Sequence, residues 1–214
     1  MITFGRCVYS LVGIHGCMDN MPTRERIVSA ACRLFYNEGI GRVSVDAIAA
    51  EAGLTKRSLY YHFKSKDDLV TAYLDYRDLP NLQAFQRWFE EADGSVPEKI
   101  ASIFSQLEIS AKHPKWKGCG FLRTSSELIN MPGHPALKRG IAHKQRIEAW
   151  LAECLAAGGI ANPDDLARQI RILLDGAFAV VTLDRDPSYM ALAGQAARTL
   201  VEAASRQQMG SPST

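Results

Sequence analysis

The stretch Glu51–Val70, EAGLTKRSLYYHFKSKDDLV, decides how the chain reads. It crowds two tyrosines, a histidine and several Lys/Arg around one short turn. Thr55 can cap a helix running from Lys56 to about Phe63, and Ser65 with Asp68 reads as a capping box for the next helix, starting at Lys66. Upstream, Ser44 can cap a short helix over Val45–Ala52, with Asp46 in its first turn, and Gly53 breaks it. Two short helices joined by a tight turn containing glycine make a helix-turn-helix. Ala49 supplies a small residue where the two helices cross, and Gly53 tolerates the positive φ of the turn. Ile48, Leu54, Leu59 and Phe63 are the expected shared core. Lys56, Arg57, Ser58, Tyr61 and His62 then face outward, while Tyr60 can lie mostly in the core with only its hydroxyl out.

That outward face suits DNA. Lys56 and Arg57 can reach phosphates or guanine edges. Helix N–H groups beside Ser44 and Thr55 can meet phosphate oxygens. Tyrosine hydroxyls and a histidine N–H can donate to phosphates, and Lys66 is a further phosphate contact. The bland alternative is a solvated helix face, which any one of these residues alone would suggest. Cap, Ala/Gly spacing, tyrosine pair and following capped helix together favour the functional reading. Glu38 and Glu51 would oppose binding and are expected to face away.

Outward from this stretch, helical periodicity continues and strand signals are scarce. Ile27, Ala30, Ala31, Leu34 and Phe35 form one stripe, with Thr23 as cap, Glu25 in the first turn and Gly39 at the end. The helix starting at Lys66 is expected to end near Arg77, where Pro80 interrupts, with Asn81–Ala92 following. Ser95-Val-Pro-Glu98 reads as cap, first-turn proline and capping-box acid of a helix to about Lys112. Further helices are expected over Phe121–Ile129, Ala136–Ala157, Pro163 to about Leu183, and Pro187 to about Arg206. The domains expected are a disordered extension over 1–20, a compact domain over 21–69, a larger helical domain over 70–206, and a disordered tail over 207–214. The extension has the character of a loose tail or of a misplaced start, with Met18 or Met21 as the true beginning.

Composition narrows the class. The 214 residues are 47% hydrophobic and 22% charged, as in ordinary globular proteins. The net charge of +2 excludes a polybasic chain, so any basic surface is local. Between Met21 and Leu69 eight Lys/Arg face six Asp/Glu, which puts the excess at the front. The five cysteines are scattered without C-x-x-C spacing, which points to a reducing, cytoplasmic setting without a zinc site. No run reaches the roughly 18 apolar residues of a membrane span, and the first twenty residues make a poor signal peptide. No cofactor motif is present, and the histidine spacing suggests no metal site.

The run from Thr23 to Val70 resembles the DNA-binding domain of TetR-type (TetR/AcrR) transcriptional regulators, through TRERIVSAACRLFYNEGI, SVDAIAAEAGLTKRSLYYHFKSKDDLV and their spacing. The resemblance covers about a quarter of the chain. It implies an all-α protein, with an N-terminal three-helix domain joined by a fourth helix to an effector-binding and dimerisation domain. Thr55, Lys56, Arg57, Ser58, Tyr60, Tyr61 and His62 occupy recognition-helix positions, and Lys66 the phosphate-contacting lysine position. Many members carry glycine where this chain has Arg57, so base preference does not transfer.

The resemblance further implies a homodimer through the last two helices. Ile170, Leu173, Leu174, Ala177, Phe178 and Val181 on one, and Leu192, Ala196, Leu200 and Val201 on the other, are the expected face, with Ala193, Gly194 and Ala197 permitting close approach. A monomer core is the competing reading of the same stripes. The implied small-molecule effector would sit among Phe85, Trp88, Phe89, Ile103, Phe104, Leu107, Trp116, Phe121, Leu122, Trp150 and Phe178, most of which also suit a plain core. Members often carry a Gly-Cys pair at the place of Cys119, which could sense oxidants if His113, Lys115 or Lys117 lowered its pKa; an inert cysteine is the plainer reading. The leading function is a ligand-responsive repressor released from a palindromic operator. The alternatives are a DNA-binding protein without an effector, and an enzyme using Cys119 with His113 or His143; no G-x-S-x-G, P-loop or H-E-x-x-H supports catalysis.

Overall fold

The structure is a computed structural model that describes residues 21–209. The expected N-terminal extension, its alternative start at Met18, and residues 210–214 of the expected tail lie outside the described residues. In chain order the helices are α1 (Thr23–Glu38), α2 (Val45–Glu51), α3 (Lys56–His62), α4 (Lys66–Glu90), α5 (Val96–Ala111), α6 (Gly120–Glu127), α7 (Pro135–Ala157), α8 (Pro163–Asp184) and α9 (Ser188–Met209). Among the described residues there is no strand, so the fold is all-α. No described helix is long and apolar enough to cross a membrane.

The described residues divide into two compact units, 21–81 with 119–142, and 82–118 with 143–209. The expected boundary at 69/70 is therefore displaced. The first unit keeps the opening turns of α4 and recruits α6 and the start of α7.

Within the first unit, α1, α2 and α3 pack on one another. Ile27, Ala30, Ala31 and Cys32 of α1, Ile48 of α2, Leu59 of α3, and Leu69 and Leu74 of α4 are fully buried in one apolar cluster. Leu34 and Leu54, both expected inside, are half-buried at its margin. Phe35 and Tyr73 meet with ring centroids 5.7 Å apart.

Local chemistry sets most helix ends. Ser44 Oγ accepts from the Ala47 N–H at 3.1 Å, and Thr55 Oγ1 from the Ser58 N–H at 3.2 Å, each satisfying one orphan donor of a first turn. Ser65 and Asp68 exchange the two bonds of a capping box. Glu98 accepts from both the N–H and the hydroxyl of Ser95. Thr23 is not a cap. Pro22 holds that position without a side-chain bond, and its carbonyl accepts from the Arg26 N–H, so Thr23 already lies in the first turn.

Pro80 does not end its helix; α4 runs unbroken from Lys66 to Glu90. Proline costs one backbone donor and crowds the preceding turn. Buried Tyr73 and Leu74 before it, and Ala84, Phe85 and Trp88 after it, anchor the helix on both sides. At the other end of the chain, α9 extends through Met209, three residues into the stretch expected to be a disordered tail.

In the second unit α9 packs on α5 and α8. Gly194 permits the first of these approaches: a Cβ there would stand 2.7 Å from Cβ of Phe104. Ile170, Leu174, Ala177, Phe178 and Val181 of α8, and Gly194, Ala197 and Val201 of α9, are buried in this unit's own interior. This corrects the expected dimer face on α8, since the stripe chosen from the sequence is core. The opposite side of α8 carries the exposed apolar residues Ile172 and Leu183, at 71% and 80% exposure. On α9, Leu192, Ala196 and Leu200 do remain outside.

Candidate nucleic-acid interface

The helix-turn-helix is stitched at its turn. Gly53 has φ +66°, the left-handed conformation expected of it. Arg26 of α1 reaches under this turn, and its Nη2 donates to the Ala52 carbonyl at 2.7 Å. Glu51, a feared anion on the reading surface, is held by Arg33 of α1 at 2.9 Å. Arg24 lies over the Phe63 ring at 4.9 Å and closes the far end of α3.

With Leu59 and Phe63 buried, α3 turns an arc of Lys56, Tyr60, Arg57 and Tyr61 to solvent. Tyr60 is 44% exposed, so it belongs to this arc and not to the core. Tyr61 is 87% exposed, a conspicuous position for a large ring in a folded domain. Ser58 and His62 sit half-buried on the flank of the arc, and His62 meets Tyr61 edge-on at 5.3 Å.

The cations are not equivalent. Lys56 Nζ pairs with Asp46 of α2 at 2.9 Å, and this hydrogen bond raises the lysine's pKa from its ordinary value. Both groups are exposed, so a phosphate can compete for the ammonium at little cost. Arg57 and Lys66 have no hydrogen-bond or ion-pair partner among the described residues. The caps Ser44 and Thr55 accept from the N–H groups of Ala47 and Ser58. Each cap accepts through its oxygen and keeps its own O–H proton to donate.

Three parts of this unit have no local sequence signature. Glu127 of α6 accepts from the backbone N–H of Ile40, at 3.2 Å, and of Gly41, at 2.8 Å, in the α1–α2 loop. Arg123 of α6 donates to the Tyr36 carbonyl at 2.8 Å. His134 Nε2 stands 3.3 Å from the Asp67 carboxylate in the first turn of α4. α6 is thereby latched onto the last turn of α1 and the loop that follows it.

The expected effector residues divide between the units. Phe121 is fully buried and Cys119 partly buried in the apolar cluster of the first unit, beneath the helix-turn-helix. Trp88, Phe104, Leu107 and Phe178 are buried in the second unit, and Trp150 is half-buried with its ring edge-on to Phe89 at 5.8 Å. A cavity of about 330 Å³ in that unit is lined by Lys112, His113, Trp116, Val181, Arg185 and Pro187. Trp116 there stacks on Phe178 with centroids 6.3 Å apart. The groove of about 610 Å³ beside Ile172 and Gly176 is lined by Glu148, Arg168, Arg171 and Asp175. These charges pair among themselves, so the groove offers no unbalanced charge to a ligand.

A capped helix-turn-helix with a cationic, tyrosine-bearing second helix defines a DNA-binding class. The comparisons agree. The family profile "Bacterial regulatory proteins, tetR family" matches residues 27–73. The transcriptional regulator SCO4454 of Streptomyces coelicolor, of the TetR family, superposes with a TM-score of 0.71 at 32% identity, over 86% of this chain and 95% of that one. A TetR-type regulator of Streptomyces avermitilis, sav143, gives 0.74 at 32% identity, over 86% and 99%. The HTH-type transcriptional regulator TtgR of Pseudomonas putida is 33% identical over 98 residues, 44% of this chain and 47% of that protein. The match thus spans about half the length of this curated relative. The chain belongs to the TetR family of transcriptional regulators.

An expected result arises directly from the arc. Arg57→Ala changes preference at particular base pairs by about 1–3 kcal/mol, because an arginine fork reads guanine O6 and N7 as a pair. Selection of binding sites from a randomised duplex pool checks it. An unchanged consensus with the variant would remove Arg57 from base reading.

Proposed function

We propose that the protein is a dimeric repressor that reads a palindromic operator with α3 and leaves it when a small molecule binds. The observation that carries this reading is the arc of Lys56, Tyr60, Arg57 and Tyr61, turned to solvent by the burial of Leu59 and Phe63. Arginine at the head of a recognition helix offers bidentate hydrogen bonds to a base edge, and exposed tyrosines and Lys66 clamp the sugar-phosphate backbone. Two such helices must stand about 34 Å apart to enter successive major grooves, which requires a dimer.

The exposed apolar residues Ile172 and Leu183 of α8 and Leu192, Ala196 and Leu200 of α9 supply a face for that pairing. A second copy of the chain is its natural occupant, because a two-fold axis places the same stripe on both sides. The Ile172→Asp, Leu192→Asp double variant is expected to sediment as a monomer with unchanged helical circular dichroism. A variant that stays dimeric would move the interface elsewhere.

Release requires only that the effector bind one of two conformations better than the other. The latch of Glu127 and Arg123 onto the α1–α2 loop and Tyr36 supports α6 as the element that moves the reading head. The test is genome-wide capture of DNA fragments by the purified protein. Recovery of a few fragments sharing an inverted repeat supports the proposal. Recovery of random fragments with no shared sequence would favour an architectural DNA-binding protein without an effector.

A further inference from the structure

The cavity of about 330 Å³ in the second unit has an apolar wall on one side and cations on the other. Trp116, Val181 and Pro187 supply the first, and Lys112, His113 and Arg185 the second; no carboxylate lines it. Its volume lies within the range of small-molecule sites, at the lower end. The apolar wall is supported from behind. The Trp116 ring stacks on Phe178, with centroids 6.3 Å and planes 16° apart. Gly118 lets the loop carrying Trp116 close on α8, because a Cβ there would collide with the Thr182 hydroxyl. Leu183, on the face offered for pairing, stands about 200° around the helix axis from Val181, so the cavity and that face use different sides of α8.

The three polar side chains differ in what they have to offer. Lys112 is paired with Glu108, one turn earlier, at 2.8 Å. His113 Nδ1 accepts from the Lys115 N–H at 3.1 Å, which puts the proton of the neutral ring on Nε2. Arg185 makes one long hydrogen bond, from Nη1 to the Trp116 carbonyl at 3.4 Å, and no ion pair among the described residues. Its Nε–H and both Nη2–H groups have no protein acceptor there. The carboxylates beside it in the chain, Asp184 and Asp186, do not line the cavity, and Asp186 Oδ1 accepts from the Ser188 N–H at the start of α9.

Arg185 is also placed against local preference. It holds the left-handed conformation, φ +59°, at the C-terminal end of α8, where glycine is the easiest residue. Its side chain is exposed, so core packing does not demand a large residue at that strained position.

We infer that this cavity binds an aromatic carboxylate, with the Arg185 guanidinium on the carboxylate and the ring against Trp116 and Val181. The planar guanidinium offers parallel N–H donors to two carboxylate oxygens, which a lysine cannot do. The supported indole gives a planar ring an apolar surface to cover. The Lys112–Glu108 pair lies on the surface, where such a pair is weak, so Lys112 can turn to the same anion at little cost. In the regulator reading, on which the functional part of this inference rests, the acid is the effector.

The experiment is a titration of the full chain, without DNA, with sodium benzoate replacing sodium chloride at constant ionic strength. The indole N–H signals of Trp88, Trp116 and Trp150 are followed by NMR, and Trp116 is assigned by the signal missing from Trp116→Phe. The Trp116 signal is expected to move and saturate, while the other two do not. Benzamide, which keeps the ring but not the charge, and acetate, which keeps the charge but not the ring, are each expected to bind roughly tenfold more weakly or worse. Arg185→Gln is expected to melt with the wild type in chloride and to weaken benzoate binding by roughly tenfold or more.

A Trp116 signal that stays still, or drifts with those of Trp88 and Trp150, overturns the site. So does benzamide binding as tightly as benzoate, or benzoate affinity unchanged in Arg185→Gln. A lower melting temperature for Arg185→Gln in chloride, with a still Trp116 signal, would leave Arg185 as a cation serving the C-terminal end of α8 and overturn the proposal. Because no DNA is present, failure of the protein to bind an operator would sink the regulator reading and leave this titration unaffected.

Discussion

Leu59→Ala is expected to destabilise the first unit by about 2–5 kcal/mol, the cost of deleting a fully buried leucine and leaving a cavity. Leu59 is the residue through which α3 joins the cluster of Ile27, Ala30, Ala31 and Ile48. A domain of ordinary stability holds only about 5–15 kcal/mol, so the loss is a large fraction of the whole. α3 has seven residues and cannot persist without that packing. Hydrogen exchange at the amides of α2 and α3 should therefore accelerate together, and a urea titration should show an earlier first transition. DNA affinity should fall with the folded fraction of this unit. A cost below about 1 kcal/mol would mean that Leu59 is not the pivot of the helix-turn-helix.

The second large effect concerns affinity. Lys66→Ala removes a cation at the first residue of α4 that has no partner among the described residues. A hydrogen bond to a charged group contributes about 1.5–3 kcal/mol and a dimer loses two of them, so affinity should drop roughly a hundred- to ten-thousandfold for every sequence alike. Each phosphate no longer neutralised lowers the slope of log affinity against log salt by about 0.9. A dimer carries two copies of Lys66, so the change should be about 1.8. Tyr61→Ala should weaken binding comparably while leaving the slope unchanged, because a phenol releases no counter-ion. Fluorescence anisotropy over a salt series separates the two. A salt slope untouched by Lys66→Ala would take that lysine off the DNA backbone.

What could be read from the sequence, and what could not, follows the range of the interactions. Ser44, Thr55, Gly53 and the Ser65–Asp68 pair act on atoms within a few residues, and each does what its local pattern predicted. Pro80 misled for the converse reason. The local rule counts the lost donor but not the burial of Tyr73, Leu74, Phe85 and Trp88 on either side of it. The α8 stripe misled because the helix is apolar on two sides. Period alone does not say whether Ile170 and Leu174 or Ile172 and Leu183 face the core.

The exposed arc of α3 was legible because it lies on one seven-residue helix; only Tyr60, Ser58 and His62 shifted, the first outward and the others to the flank. The latch was not. Glu127 meets Ile40 and Gly41, and Arg123 meets Tyr36, across more than eighty residues, and no spacing motif links them. Arg77 was equally silent in the sequence, where an arginine on a long helix reads as a solvated side chain. Its burial against the Tyr36 ring appears only once α1 and α4 pack together.

The most direct measurement is a hydroxyl-radical footprint of the protein on a fragment recovered from the genome. Two protected patches, related by two-fold symmetry and centred about one helical turn or a whole multiple of it apart, are the expected result. They should vanish together in the Tyr61→Ala, Lys66→Ala double variant. A single patch, protection without symmetry, or a footprint that survives the loss of both side chains would contradict the account.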